Sequence, residues 1–400
     1  MQFRACVGGF FLLLLGLSGA GAQTWVQTTA PARNWTSISS SADGSRLVAA
    51  AWNGPIYVST NSGADWLLSS APVTNWVGVA SSAAGDAVFA VQTYASYGVI
   101  STIHRSTNFG FTWVTLNAPA TNWQSVACSA DGTKLVACAA FGPIGLSTNS
   151  GDTWSLTYVT DAPWGDVACS ADGATLITTG FNVDIHYSPV AISCDSGATW
   201  SVTNFHNWAF RAACSARGQN VILGAFSGLY VSKNAGATWQ LTQLATNQWW
   251  TSVACSAEGD RLVVARSRTS WGATSNLVYA STDAGQTWTV NDAPNTNWSS
   301  VASSADGRKL VATVGGSQWG YIYRAQSVPQ PVLKTRLSGT NLVLSWIIPS
   351  APFVLQETDD VTNPNWSALP LVPVLNTSTL ENEVTVPLRT GNSFYRLKAL

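Results

Sequence analysis

"NWQSVACSADGTKLVACAAFGPIGLSTNSGDTW", residues 122–154, contains one complete unit of a repeat. "SVACS" reads as a first strand and "ADG" as a tight hairpin turn. "KLVACA" is a second strand, "IGLST" a third, and the residues after the final Trp a fourth. The eight-residue turn "STNSGDTW" (147–154) returns as "STNSGADW" (59–66), "STNFGFTW" (106–113), "SCDSGATW" (193–200), "SKNAGATW" (232–239) and "STDAGQTW" (281–288). Its third residue is Asn61, Asn108, Asn149, Asp195, Asn234 or Asp283, a short polar side chain able to bond backbone N–H groups two residues on. Asn stands there in four of the six copies, so a charge is not required. That argues against metal binding or acid catalysis at the turn, which we read as structural.

Units start at Trp35, Trp76, Trp123, Trp164, Trp208, Trp249 and Trp298. Four strands on a period of about 44 residues are the pattern of a propeller blade. There are seven starts but six turns. The last unit, ending "YIYRAQSVPQ" (321–330), lacks a fourth strand, and "QTWVQTTAPARNW" (23–35) matches "QTWTVNDAPNTNW" (286–298). The N-terminal strand is therefore expected to complete the final blade, leaving no open edge. The expected fold is all-β: a seven-bladed β-propeller over 23–326, closed by that strand. Residues 327–400 should form a small C-terminal β-sandwich-like module, from "LKTRLSG", "NLVLSWI", "FVLQETD", "NEVTVPL" and "FYRLKAL".

The turn "S-x-[DN]-x-G-x-T-W" resembles the Asp-box, or BNR, repeat. Families built on it include sialidases, xyloglucan-degrading glycosidases, sortilin-type receptors and photosystem II assembly-factor propellers, which share architecture rather than activity. The resemblance to sialidases implies an Arg-Ile-Pro stretch before the first turn and a Glu that activates a Tyr nucleophile. Here that stretch is "APARNW", and the propeller holds one Glu, Glu258, which replaces Asp in the "SADG" hairpin. The sialidase mechanism does not carry over. A glycosidase of the usual kind needs two carboxylates across a cleft, and most Asp residues here sit in hairpins or repeated turns.

Nineteen basic and twenty acidic residues leave the chain nearly neutral, which speaks against a nucleic-acid partner. Arg4, the apolar run 7–19 and "AGA" (20–22) read as a signal peptide over 1–22, too short for a membrane span. A secreted, periplasmic or cell-surface location follows. Cys128, Cys169, Cys214 and Cys255 share one repeat position with Ser40, Ser81 and Ser303, so a small buried residue is wanted there and unpaired thiols are expected.

One place breaks the repeat. Three residues before the Cys/Ser position stand Ser37, Gly78, Ser125, Ser252 and Ser300, but in two adjacent units Asp166 and Arg211. We expect these two to face each other near the central channel, with Asp161, Asp184, His186 and His206 in nearby connections. They are either an ion pair filling the axis or a polar ligand or catalytic pocket at its mouth. Trp52, Trp271 and Trp319 follow no repeat rule and are expected on the same face, where aromatics can stack on sugars or anchor a partner. His104 replaces a Tyr of other units and reads as structural. No metal site and no cofactor are indicated. The sequence thus describes an exported, non-catalytic module binding a protein or glycan on the face opposite the turns. The alternative is a glycoside hydrolase using Asp161, Asp166 or Asp184.

Overall fold

The computed structural model describes residues 24–93, 101–160, 162–180, 187–206, 209–244, 249–266, 276–316, 319–327, 333–347, 353–360, 365–388 and 393–399. Among these there is no helix; every regular element is a strand. Seven four-stranded antiparallel sheets account for the described strands of residues 25–326, and one further four-stranded and one three-stranded sheet follow. In six of the seven the strands lie in chain order, as in Trp123–Cys128, Leu135–Ala139, Ile144–Ser147 and Ser155–Thr157. The seventh takes its outer strand from the other end of the chain. Trp25, Val26 and Gln27 pair with Ala325, Arg324 and Tyr323, and the Thr28 N–H reaches Ile322 O at 2.9 Å.

The first strands stand side by side in order, and the last, Trp298–Ser303, returns to pack on Trp35–Ser40. The residue after the buried Ser of each hairpin ties this circle together. The Ala42 N–H donates to Ala83 O, and the series continues through Ala130, Ala171, Ala216, Ala257 and Ala305 back to Ala42, at 2.7–2.8 Å throughout. Sequence reasoning missed this ring. Its signal was a Ser-Ala pair present in all seven units, beside the Cys/Ser position that varies.

The strand-start Trp residues fill the spaces between sheets. Trp35, Trp76, Trp123, Trp164, Trp250 and Trp298 are essentially fully buried. Each indole hides roughly 150–250 Å², about 4–6 kcal/mol at ~25 cal/mol per Å² before entropy is subtracted. The indoles of Trp76 and Trp123 donate to Pro72 O and Pro119 O four residues back, which gives the "AP" before these two units a use. The expected starts need correction in one described unit. Trp250, not Trp249, opens the sixth sheet; the fifth has Ala209 at the equivalent position, and Trp208 lies outside the described residues. Every first strand is bulged just after its opening residue, so the doublet Trp249-Trp250 offered two readings of the register.

Residues 334–399 form two sheets around Leu344, Trp346, Leu355, Val384, Val386 and Tyr395. They dock on the alanine ring. Ile347 and Leu380 pack against its alanines. Lys334 Nζ bridges Glu258 at 2.6 Å and the buried Glu381 at 2.7 Å. The exceptional Glu of the sixth hairpin is thus a docking residue.

Candidate functional site

The repeated turns consume their own polar groups. In the third sheet Ser147 Oγ accepts the Gly151 N–H at 2.9 Å, and Asn149 Oδ1 accepts the Thr153 N–H at 2.9 Å. The same two bonds occur in all six copies. The Asn/Asp side chain therefore reaches four residues on, not two, because the chain turns through two left-handed residues, Ser150 (φ 58°) and Gly151 (φ 90°). A Cβ at Gly151 would also collide with Leu116. The turn Trp packs on a strand-start Trp, as Trp154 does on Trp123 with centroids 6.0 Å apart.

His104 is likewise structural. It is buried, its Nε2 lies 3.0 Å from both Thr102 Oγ1 and Gln92 Oε1, and its ring meets Trp76 edge-on. Burial lowers its pKa to about 4, which keeps the imidazole neutral.

Two cavities mark the ends of the axis. At the hairpin end about 160 Å³ is lined by the Cys/Ser positions and the alanine ring, with Leu380 against it. All six described cysteines are free thiols. Cys128, Cys169, Cys214 and Cys255 line this axial cavity. Burial pushes Cys169 and Cys255 up to about 12, so these thiols stay protonated at neutral pH.

At the opposite end lies a cavity of about 820 Å³, lined by the starts of the first strands with Trp52, Asn297, Gly315 and Gly316. Its wall carries hydroxyls and amides, including Thr36, Ser37, Gln124, Ser125, Thr251 and Ser299, and one carboxylate and one guanidinium, Asp166 and Arg211. The small position at which Asp166 stands has a job in other sheets. Ser37 Oγ accepts the Val79 N–H at 3.1 Å, Ser252 Oγ the Val301 N–H at 3.0 Å, and Ser300 Oγ the Ile38 N–H at 3.3 Å. Each stitches one first strand to the next.

Asp166 makes the same stitch, accepting the Ala212 N–H on Oδ2 at 3.1 Å, and takes the Ser125 hydroxyl on Oδ1 at 3.1 Å. Arg211 Nε points onward, to Thr251 O at 2.6 Å. The expected face-to-face ion pair is therefore corrected: the two share a cavity wall, but the carboxylate oxygens bind backbone and hydroxyl. Burial pushes the Asp166 carboxyl above the ordinary aspartate value, while the Arg211 charge and its hydrogen bonds pull the other way.

Trp52 lines the cavity, half-exposed, whereas Trp319 is 72% exposed and lies under the Arg33 guanidinium, 5.4 Å away. Asp161, Asp184, His186 and Trp271 lie outside the described residues, as does the side chain of His206. Among the described residues no group of three or more His, Cys, Asp or Glu is placed to hold a metal ion. No helix among them is long and apolar enough to cross a membrane, which leaves β-barrels unaddressed.

No family model and no curated protein matches the sequence. Solved structures do match in fold. YCF48 bound to D1 peptide superposes with a TM-score of 0.56 at 12% identity, over 79% of this chain and 100% of that one. The GH74 xyloglucanase from Xanthomonas campestris gives 0.56 at 13%, over 81% of this chain but 59% of the enzyme. U3-55K gives 0.58 at 13%, over 76% and 98%. These likenesses establish an all-β propeller. At such identities they carry no activity across.

Proposed function

We propose that this chain is an exported, non-catalytic binding protein whose ligand, a polar peptide segment or a glycan, enters the 820 Å³ cavity at the end of the axis opposite the repeated turns. The reading takes residues 23–326 as a closed seven-bladed Asp-box propeller. The clasp at Trp25–Gln27 and the unbroken alanine ring support it. Residues 1–22 are a signal peptide on this reading, which places the protein in the periplasm, at the cell surface or outside. The module at 327–400 closes the hairpin end of the axis, supported by Leu380 and by the Lys334–Glu258 pair.

The observation that carries the binding role is the contrast between ends. The hairpin end holds a small cavity with the C-terminal module against it. The wide end is a large concave wall carrying hydroxyl, amide, indole and one charge of each sign, some of which also stitch neighbouring strands. Concave sites with a few converging polar groups are the usual home of ligands.

A glycoside hydrolase is the competing reading, and one observation favours it: Asp166 lies in the cavity with its carboxyl pushed toward the protonated form, as a general acid requires. Among the described lining residues it is the single carboxylate, and the reaction needs a partner such as Asp161 or Asp184. Peptide and glycan arrays, run beside a polysaccharide hydrolysis screen, separate the readings. Binding without turnover, lost in Asp166→Asn, supports the first. Turnover abolished by the same change replaces it, and neither binding nor turnover refutes both.

A further inference from the structure

The gap between neighbouring sheets is filled according to a rule. A third-strand residue of one sheet packs toward the Gly of the turn in the next. Val58, Leu146, Ile192 and Val231 do so beneath Gly110, Gly197, Gly236 and Gly285. The residue before each second strand packs beneath the following hairpin Gly, as Arg46 does under Gly85 and Lys134 under Gly173. At most junctions one of the two fillers is apolar or neutral. At the junction between the closing sheet and the first sheet both are cations: Arg324 lies near Gly63 and Lys309 against Gly44.

Space opens there as a result. A cavity of about 290 Å³ is lined by Lys309, Arg324 and Ser62 over Leu47, Leu310 and Val26, with no carboxylate among its lining residues. The corresponding gap between the fifth and sixth sheets, beside Asn220 and Val231, holds about 10 Å³.

One other junction carries an Arg at the third-strand position, and it shows what that Arg takes. Arg105 Nη1 donates to Ser150 O at 2.9 Å and to the Asp152 carboxylate at 2.8 Å. Arg324 Nη1 makes the first of these bonds, to Ser62 O at 3.0 Å. The second partner is missing, because the residue equivalent to Asp152 is Ala64. Arg324 makes no other hydrogen bond among the described residues. Lys309 Nζ donates to Asp43 O at 3.2 Å and Ser62 Oγ at 3.0 Å, which leaves one proton over. The nearby Asp43 carboxylate takes its hairpin bonds from Ser41 and Ser45 on Oδ1, and its charge offsets part of that on Lys309 but lies outside the cavity lining.

We propose that this junction is a binding site for a small carboxylate carrying an apolar group. The carboxylate takes the place that Asp152 holds on Arg105, between Arg324 and Lys309, and the apolar group lies on Leu47, Leu310 and Val26. A charge-assisted pair with Arg supplies the specificity. The site lies at the turn-bearing end, remote from the cavity of the proposed function, and does not depend on that reading.

Titration calorimetry of the full mature chain at low salt tests it, with hexanoate as the probe and hexylamine and inorganic phosphate as controls. Saturable hexanoate binding at millimolar concentration or below is expected, with none for hexylamine. Arg324→Leu should weaken it at least about tenfold, which corresponds to ~1.4 kcal/mol. Ala64→Asp supplies the missing acid from within and should abolish binding with the melting temperature kept or raised. This second variant tests the site even if Arg324→Leu fails to fold. No hexanoate binding, phosphate binding as tight as hexanoate, or undiminished binding in Ala64→Asp would each overturn the proposal.

Discussion

At the hairpin end of the axis the first strands are joined backbone to backbone, alanine to alanine, and a second module covers the opening. At the other end they are joined by side chains, Ser37, Ser252, Ser300 and Asp166, and a wide cavity stays open. The difference bears on where a repeat protein is free to vary. A backbone ring works with almost any small residue, so that end stays uniform. A stitch made by a side chain tolerates replacement by any side chain that still accepts the bond, and Asp166 is such a replacement. Variation therefore collects at the open end without opening the ring.

The comparison is broken most severely by removing the strand both ends depend on. Deleting residues 23–30 exposes the Ala325 edge and vacates the space of Trp25, which packs on Trp298 with centroids 6.0 Å apart. Losing a buried Trp alone costs about 3–5 kcal/mol, roughly 10 °C in a domain of this size. Differential scanning calorimetry of the full and trimmed mature chains measures this. Equal melting temperatures would show that the clasp adds nothing.

The next effect belongs to the uniform end. Ser147→Ala leaves the buried Gly151 N–H without its acceptor and releases Asn149 Oδ1, which takes the Ser147 hydroxyl at 3.0 Å. An unsatisfied buried donor costs about 1–3 kcal/mol. Urea denaturation gives the value, and a change under half a kilocalorie, about what surface positions show, would mean the turn tolerates loss of its first residue.

How much of this was legible follows the same division. The period, the turns, the clasp and the strand-start indoles could be read because each recurs with the same residues. The alanine ring was equally regular but passed unnoticed, since a backbone bond leaves no chemical signature beyond a small residue. The open end was read only as an anomaly. Charge at Asp166 and Arg211 was visible, but two of the partners, Ala212 N–H and Thr251 O, are backbone groups of neighbouring strands that no sequence pattern names. The cation pair at the clasp was overlooked because Lys309 and Arg324 are apart in sequence and ordinary singly.

At the open end, Asp166→Asn separates the stitch from the charge. An Asn oxygen keeps the Ala212 bond, so the fold should survive with a change within about 1 kcal/mol. The sign with pH is defined. The carboxyl is raised in the folded state, so its contribution is fully present below the unfolded value near ~3.9 and is lost as pH rises through the folded value. The variant should therefore gain on the wild type as pH rises through that window. Denaturation curves across it provide the check, and a variant that loses ground at neutral pH would mean that the charge on Arg211 depends on the carboxylate.

The smallest effect is a swap inside the turns, Asn149→Asp. Asn149 Nδ2 donates to Thr153 Oγ1 at 2.9 Å, whereas in the fourth sheet Asp195 Oδ2 accepts the Thr199 hydroxyl at 2.5 Å. A Thr hydroxyl rotates to serve either role, so the exchange should change stability by less than about 0.5 kcal/mol at neutral pH. The acid limb should respond instead. The Thr199 hydroxyl and N–H and the Ser193 hydroxyl hold Asp195 down at about 2. A carboxylate depressed in this way stabilises above its unfolded value and loses that contribution as pH falls through the folded one. Asn149→Asp should therefore acquire a steeper loss of melting temperature below pH ~4, while Asp195→Asn becomes flatter there. Parallel acid limbs in both variants and the wild type would mean that the turns do not act on the folded state through these bonds.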